Sequence, residues 1–477
     1  MQNGMLTLRA NHFAPAPVKS PVKSKLHSLA TSLLLILVVA FTARTAFAWN
    51  QERKIPRDAL AVVPFAQEAG SIAYSLAAGN GFSSPFRNDT GATAWLPPVY
   101  PFLLSLIFRI FGSLSVPSLN AAVLLNILCS TATCVPIFFA GKRLSAPSAG
   151  LSVAATAAWI WALLPAAILL PFEWIWDTSL SALLAALLLW FTLYLADSHR
   201  ARDWCAYGLL SGLSLLTNTA LGALWLPWLF WAGFFTMRRA KKSADSAPAS
   251  SPSRDATAWK RPALAFAVAI LCCVPWTIRN YVQFHKFIPV RSNFAFELWT
   301  GNNNIFDPHT GNAMARITIY GEVRQYTQLG ETAYMQDKYR KAVLFMRTHP
   351  ALEMKLMLAR IIATWLGTQH PIDDFARADS WLPRAVFLLN GIFLPGTVGG
   401  IILLYRRRDR FAFPLAFAPI VFPLVYYLTH TSLRYRHPLD PILVLLTAVS
   451  VVALEQSIAR IFSTRAAGAR SPISAAP

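Results

Sequence analysis

The chain has 477 residues, of which 55% are hydrophobic, 13% aromatic and only 14% charged. An average soluble domain is roughly 25% charged, so a soluble globular fold is excluded and a polytopic membrane protein is expected. The net charge of +21 does not point to nucleic acid, because most Lys and Arg sit in short segments between apolar runs, where the positive-inside rule places them. Five cysteines (Cys129, Cys134, Cys205, Cys272, Cys273) lie in or beside apolar runs with no metal-type spacing, so no disulfide framework is expected.

Residues 1–25 read as a basic cytoplasmic tail. The apolar run Leu26–Phe47 reads as an uncleaved first span; a signal peptide is the alternative, since Ala46-Phe47-Ala48 resembles a cleavage site. Residues 49–112 form an external loop with one carboxylate near its start (Glu68), a Gly79-Asn80-Gly81 turn, Trp95, a Pro97-Pro98 break, and a helix with Tyr100 lying at the interface. Spans follow at about Leu119–Ala140, from Ala149 outward with breaks at Pro165 and Pro171, and back to Ala196. A hairpin of two more runs from Cys205 to Phe235. Residues 26–238 are thus a first membrane region, and 239–261 a cytoplasmic linker rich in Ser, Ala and Pro. The second membrane region, 262–458, begins with a span over Pro262–Trp276. It carries a large external region, 277–380, in which 331–366 shows helical periodicity. Spans at about Ala385–Leu404, Phe411–Leu428 and Pro441–Ala453 and a cytoplasmic tail, 459–477, complete the chain. The expectation is an all-α protein of about ten spans, within a range of about eight to thirteen, with both ends inside.

The informative charges are those that the positive-inside rule does not explain. Arg279 sits at the outer end of its span, and Arg434, Arg436 and His437 sit at the outer mouth of the last two spans. Cations there need an anionic partner, either a lipid headgroup reached by snorkelling or a bound phosphate, for which guanidinium forks are suited. Glu68 opens a stretch with Ile72, Ala73, Leu76 and Ala77 at helical spacing, at a helix start just beyond the membrane. It is either a solvated loop carboxylate or a general base, with Asp58 and Asp89 as rivals in the same loop. Trp95 and Tyr100 fit an interfacial aromatic belt or a cavity wall. Glu173 and Asp177 fit helix caps or the same cavity. No Walker loop, HExxH or Cys/His cluster is present.

Taken together, E-x-G-x-I-A-x-S-L-A-x-G-x-G-F-S-x-P-F, T-A-W-x-P-P-x-Y-P, P-W-x-I-R-N-Y at Pro275–Tyr281, Gly301-Asn302-Asn303 and R-Y-R-H-P at Arg434–Pro438 resemble the external segments of bacterial GT-C glycosyltransferases. These are the family of protein O-mannosyltransferases and the lipid A aminoarabinose transferase (glycosyltransferase family 39), and the resemblance runs in order from about residue 26 to 458. It implies a GT-C-like fold and an integral-membrane transferase at the outer face of the bacterial inner membrane. Such an enzyme moves a hexose or pentose from a polyprenyl-phosphate carrier to a cell-envelope lipid, glycan or protein. It further implies Glu68 as base, Arg434, Arg436 and Arg279 on the donor phosphate, and Asn280, Asn302 and His437 beside Trp95, Tyr100, Glu173 and Asp177 as supporting residues. The expected partners are the bilayer, the lipid-linked sugar and the acceptor, with no nucleic acid. Many members carry an adjacent acidic pair where this chain has Gln67-Glu68, so a divalent metal is an open question. Two alternatives stand beside the transferase: a lipid-linked-glycan flippase, and an inactive relative that binds a glycolipid.

Overall fold

A computed structural model describes residues 32–55, 65, 68–86, 89–144, 152–173, 175–245, 259–303, 319–367 and 381–468. Gln67, Asp58, the tail 1–25, most of the linker and the last residues of the chain lie outside these. Every named element is a helix, and the described residues hold a single isolated β-bridge, Ser83 with Ala92.

The first half of the chain runs α1 (Leu33–Glu52), α2 (Glu68–Ala77), α3 (Val99–Phe111), α4 (Val116–Ala132) and α5 (Cys134–Leu144). It continues with α6 (Val153–Leu163), α7 (Pro165–Glu173), α8 (Thr178–Leu195), α9 (Ala201–Thr217) and α10 (Gly222–Asp245). The second half begins with α11 (Lys260–Phe284), α12 (Phe294–Gly301), α13 (Ile319–Leu329), α14 (Glu331–Thr348) and α15 (Pro350–Leu366). It ends with α16 (Trp381–Arg406), α17 (Ala412–Val421), α18 (Leu424–Leu428), α19 (Leu433–Arg436) and α20 (Asp440–Gly468).

Among the described residues, seven helices are long and apolar enough to cross a membrane, or eight if the bent pair α6–α7 counts as one span. That is fewer than the ten expected, and the difference has physical causes. Helix α9 is 17 residues long and mixes Arg202 and Asp203 into its first turn. The apolar run Phe411–Leu428 is broken at Phe422-Pro423 into α17 and α18. Of the two prolines expected to break the third span, only Pro165 does so, with a bend of 43°. Pro171 sits inside α7. It has no N–H to bond the carbonyl four residues back, and that carbonyl, of Ala167, accepts a hydrogen bond from the Ser130 hydroxyl instead (2.9 Å). At the break, Arg44 of α1 is fully buried and donates to Trp161 O (3.2 Å), Ala162 O (2.9 Å) and Ser130 Oγ (2.8 Å). The guanidinium therefore satisfies the carbonyls that the end of α6 leaves open, a condition apolar surroundings impose on any interrupted helix.

The basic segments gather at one end of the bundle. Arg410 pairs with both oxygens of Asp197 (2.8 and 2.7 Å), Arg143 joins it at 2.9 Å, and Arg261 meets His199 at 3.1 Å. At the other end, the described residues of 68–111 pack against α12, α13 and α14. Glu331, 5% exposed, accepts hydrogen bonds from Thr93 Oγ1 (2.5 Å), the Ala94 amide (2.9 Å), Ser292 Oγ (2.6 Å) and Tyr326 OH (2.7 Å). Arg360 reaches Gly301 O (2.5 Å), Asn302 Oδ1 (2.9 Å) and Tyr427 O (3.0 Å). A buried ion that satisfies several backbone groups at once ties segments far apart in sequence into one layer.

Candidate active site

Helix α2 begins at Glu68, and its short apolar face (Ala69, Ile72, Ala73, Leu76) is buried. Gly70 is required in its first turn: a Cβ there would lie 2.4 Å from Phe65 O. Its far end closes with Asn80 N bonding Ser75 O (2.9 Å) and Gly79 N bonding Leu76 O (3.2 Å). Gly79, at φ 86°, supplies the left-handed residue that this type of cap needs. Arg109 of α3 donates to Leu76 O (2.9 Å). The helix that carries Glu68 is therefore fixed at both ends.

Glu68 faces the charges of Glu297, Arg291 and Arg434 from two other segments. Its carboxyl is pushed up from the ordinary value, first by burial and then by the nearby carboxylate of Glu297, against the pull of its own helix start, Arg434 and Arg291. Asp177, at the N-terminus of α8, is raised by burial as well, and the Ser181 hydroxyl (2.7 Å), Arg434 and Arg291 act against that. Asn218 also donates to Asp177 (3.3 Å). Glu297 of α12 accepts from Asn293 Nδ2 (2.8 Å) and lies 3.7 Å from Arg291 and 3.3 Å from His430. Arg434 lies over the Trp176 ring at 4.4 Å and donates to Tyr435 OH (2.9 Å). Three acids, two arginines and a histidine thus share one half-buried spot between α2, α8, α12 and α19.

Of the residues singled out in the sequence, the structure brings together Glu68, Arg434 and Asp177. The others have different surroundings. Arg279 donates to Thr93 O (2.6 Å), Phe82 O (2.8 Å) and Asn280 Oδ1 (3.0 Å) and lies beside the Trp276 ring, so it fastens the 82–93 segment to α11. Arg436 is buried and spends its donors on Asp440 (3.0 Å), Asn390 (2.7 Å), Thr364 O and Trp365 O. Protein acceptors take up the Arg436 guanidinium, and three protein oxygens hold that of Arg279. His437 is fully buried, stacked on Trp161 with Nδ1 2.9 Å from Asp440. Tyr100 bonds Asn126 Oδ1 (3.0 Å), and Trp95 lies in an aromatic cluster with Phe86, Phe296, Tyr326 and Tyr334. Asn280 holds the 288–290 turn by its carbonyls, and Asn302 caps α12 and reaches Leu428 O (2.8 Å). Glu173 ends α7 exposed.

Glu297, His430, Tyr435 and Arg291 were not singled out in the sequence. The signal was present for two of them: Arg291 is one more cation in an external segment, and Glu297 is an acid inside the aromatic run Phe294–Trp299. No group of three His, Cys, Asp or Glu side chains among the described residues is arranged to hold a metal. Glu297, the acid closest in effect to Glu68, already has Asn293, Arg291 and His430 around it. Among the described residues, the side chains around Glu68 are not arranged as ligands for a divalent cation.

Residues 96–248 match the family model described as dolichyl-phosphate-mannose-protein mannosyltransferase. The structure superposes on the crystal structure of the Archaeoglobus fulgidus oligosaccharyltransferase with a TM-score of 0.53 at 14% identity, covering 96% of this chain and 54% of that one. The chain has a GT-C fold. The A. fulgidus oligosaccharyltransferase AglB, solved with an inhibitory peptide and a dolichol-phosphate, gives the same TM-score and identity over 95% of this chain and 53% of that one. This GT-C chain spans about half the length of the solved structures it resembles. No curated protein sequence matches it.

Proposed function

We propose that the protein is an integral-membrane glycosyltransferase. It takes a hexose or pentose from a polyprenyl-phosphate carrier and delivers it to a cell-envelope acceptor at the outer face of the bacterial inner membrane. The observation that carries this reading is the convergence of a raised carboxyl, Glu68, with the half-buried guanidinium of Arg434 in one spot at the end of the bundle away from the basic segments. The family match over 96–248 and the neighbour solved with a dolichol-phosphate support the same donor class.

The chemistry follows from the charges. The acceptor hydroxyl or amine gives its proton to the Glu68 carboxylate as its oxygen or nitrogen bonds the anomeric carbon. The bond from that carbon to the phosphate oxygen breaks, and the electron pair leaves with the lipid phosphate. Arg434 stands where the growing negative charge would be met by a fixed cation in a site poor in water. A single displacement inverts the anomeric centre. The burial that raises Glu68 suits it to the task, since a base works best when its pKa lies nearer the working pH.

Transfer from a radiolabelled polyprenyl-phosphate sugar, measured in membranes, tests the assignment. Glu68→Gln is expected to lower the rate by roughly a hundredfold to ten-thousandfold, the usual contribution of a positioned base. Full transfer by Glu68→Gln overturns the role of that residue. Export of intact lipid-linked sugar without transfer would favour a flippase instead. The membrane glycolipids of a deletion strain identify the acceptor.

A further inference from the structure

Arg434 belongs to a chain of polar groups that the reaction above does not use. Its guanidinium donates to the Tyr435 hydroxyl (2.9 Å), that hydroxyl lies 3.0 Å from His430 Nε2, and His430 Nδ1 lies 3.3 Å from Glu297 Oε2. The proton positions follow from chemistry. A guanidinium can only donate, so the Tyr435 oxygen accepts from it. The Tyr435 proton is then left for His430 Nε2, and the imidazole proton falls on Nδ1, on the side of Glu297. The last contact is an approach within ion-pair distance and not a hydrogen bond. Tyr435 also stacks on Tyr426, at 5.2 Å and 10°.

We propose that His430 and Tyr435 form a one-directional hydrogen-bond relay, with Glu297 facing the far side of the imidazole, that fixes the Arg434 guanidinium in the orientation in which it receives the donor phosphate. This rests on the reading of Arg434 as the phosphate-binding residue. All three are positioning residues, because none is required to touch the reacting atoms. The relay needs a neutral imidazole. A doubly protonated His430 has no lone pair for the Tyr435 proton, and it adds a second cation beside Arg434. The charged and titratable groups facing His430 are Glu297 on α12, Arg360 on α15, and Arg434 and Tyr435 on α19. Burial holds His430 below its usual value, with Glu297 opposing and the two arginines reinforcing.

The test uses the full chain in detergent, with a polyprenyl phosphate bearing no sugar as the binding probe and transfer kinetics beside it. Tyr435→Phe keeps the stacked ring and removes one charge-assisted bond. It is expected to raise the probe Kd and the donor KM about tenfold, with kcat changing less than about threefold. His430→Gln is expected to act in the same sense, and the double variant to be no worse than the weaker single one, since both cut one chain. Wild-type affinity should fall as the pH is lowered through the titration of His430, and His430→Gln should lose that part of the dependence. If Arg434→Ala leaves the Kd unchanged, the phosphate reading fails and the relay with it. If Arg434→Ala weakens binding while Tyr435→Phe and His430→Gln do not, or if the two singles add, the relay alone is overturned. Unfolding midpoints are measured for each variant; should His430→Gln fail to fold, Tyr435→Phe and Glu297→Gln decide the outcome by the same readouts.

Discussion

A carboxylate's usefulness as a base depends on its neighbours, and the base proposed above, Glu68, has neighbours that matter. Burial is the main cause of its raised pKa, and Glu297 adds to it. A base must be ionised to act, so activity grows as the pH rises through that raised value. The acid limb of kcat/KM is therefore expected above the ordinary glutamate range of about 4.3. Glu297→Gln removes a charge that raises Glu68 and should move the limb to lower pH; Arg291→Gln removes one that lowers it and should move the limb up. A limb unmoved by either variant would mean that another group is the base. The arginines make the same point. Arg279, Arg434 and Arg436 are equivalent in the sequence, all being cations that the positive-inside rule does not explain. In the structure two of them serve as clamps on backbone carbonyls and side-chain oxygens. Nothing local distinguishes a clamp from a ligand, because the carbonyls that occupy Arg279 lie 186 and 197 positions away.

At the scale of elements, the site depends on short helices meeting the turn between α18 and α19. Helix α12 ends on Gly301 because Thr429 passes directly over it: a Cβ at 301 would lie 1.8 Å from Thr429 O. That contact is with backbone, so it cannot be relieved by a side-chain rotation. Gly301→Ala is expected to push the 429–437 turn away from α12, separating His430 from Glu297. Transfer activity should drop at least about tenfold and the unfolding midpoint should fall, as overpacking commonly costs about 1–3 kcal/mol. An alanine variant with normal activity would show that the turn can shift without consequence. Some of this was legible in advance. The helical spacing after Glu68, the Gly79-Asn80-Gly81 stop and the Pro165 break follow from local chemistry. The continuity of α7 through Pro171 did not, because the missing hydrogen bond is made good by Ser130, 37 residues away from the carbonyl concerned.

At the scale of the whole molecule, charge sorts the two ends. Arg143, Asp197 and Arg410 meet at one end; Glu68, Glu297, His430 and Arg434 meet at the other. With the basic end inside, Lys286→Cys is expected to react with a membrane-impermeant maleimide added outside intact cells, and Arg407→Cys only after the membrane is opened. Both positions are exposed. The reverse pattern would overturn the sidedness and the outer-face site. The sequence by itself determined the class of fold, the sidedness expected and the carboxylate worth attention, because hydropathy, positive-inside bias and helix starts are properties of short windows. Only the tertiary structure decided which outer-face arginine joins Glu68, and that Glu297, His430 and Tyr435 stand with it. Those groups come from segments more than 100 residues apart, and the contacts among them exist only once the chain has folded.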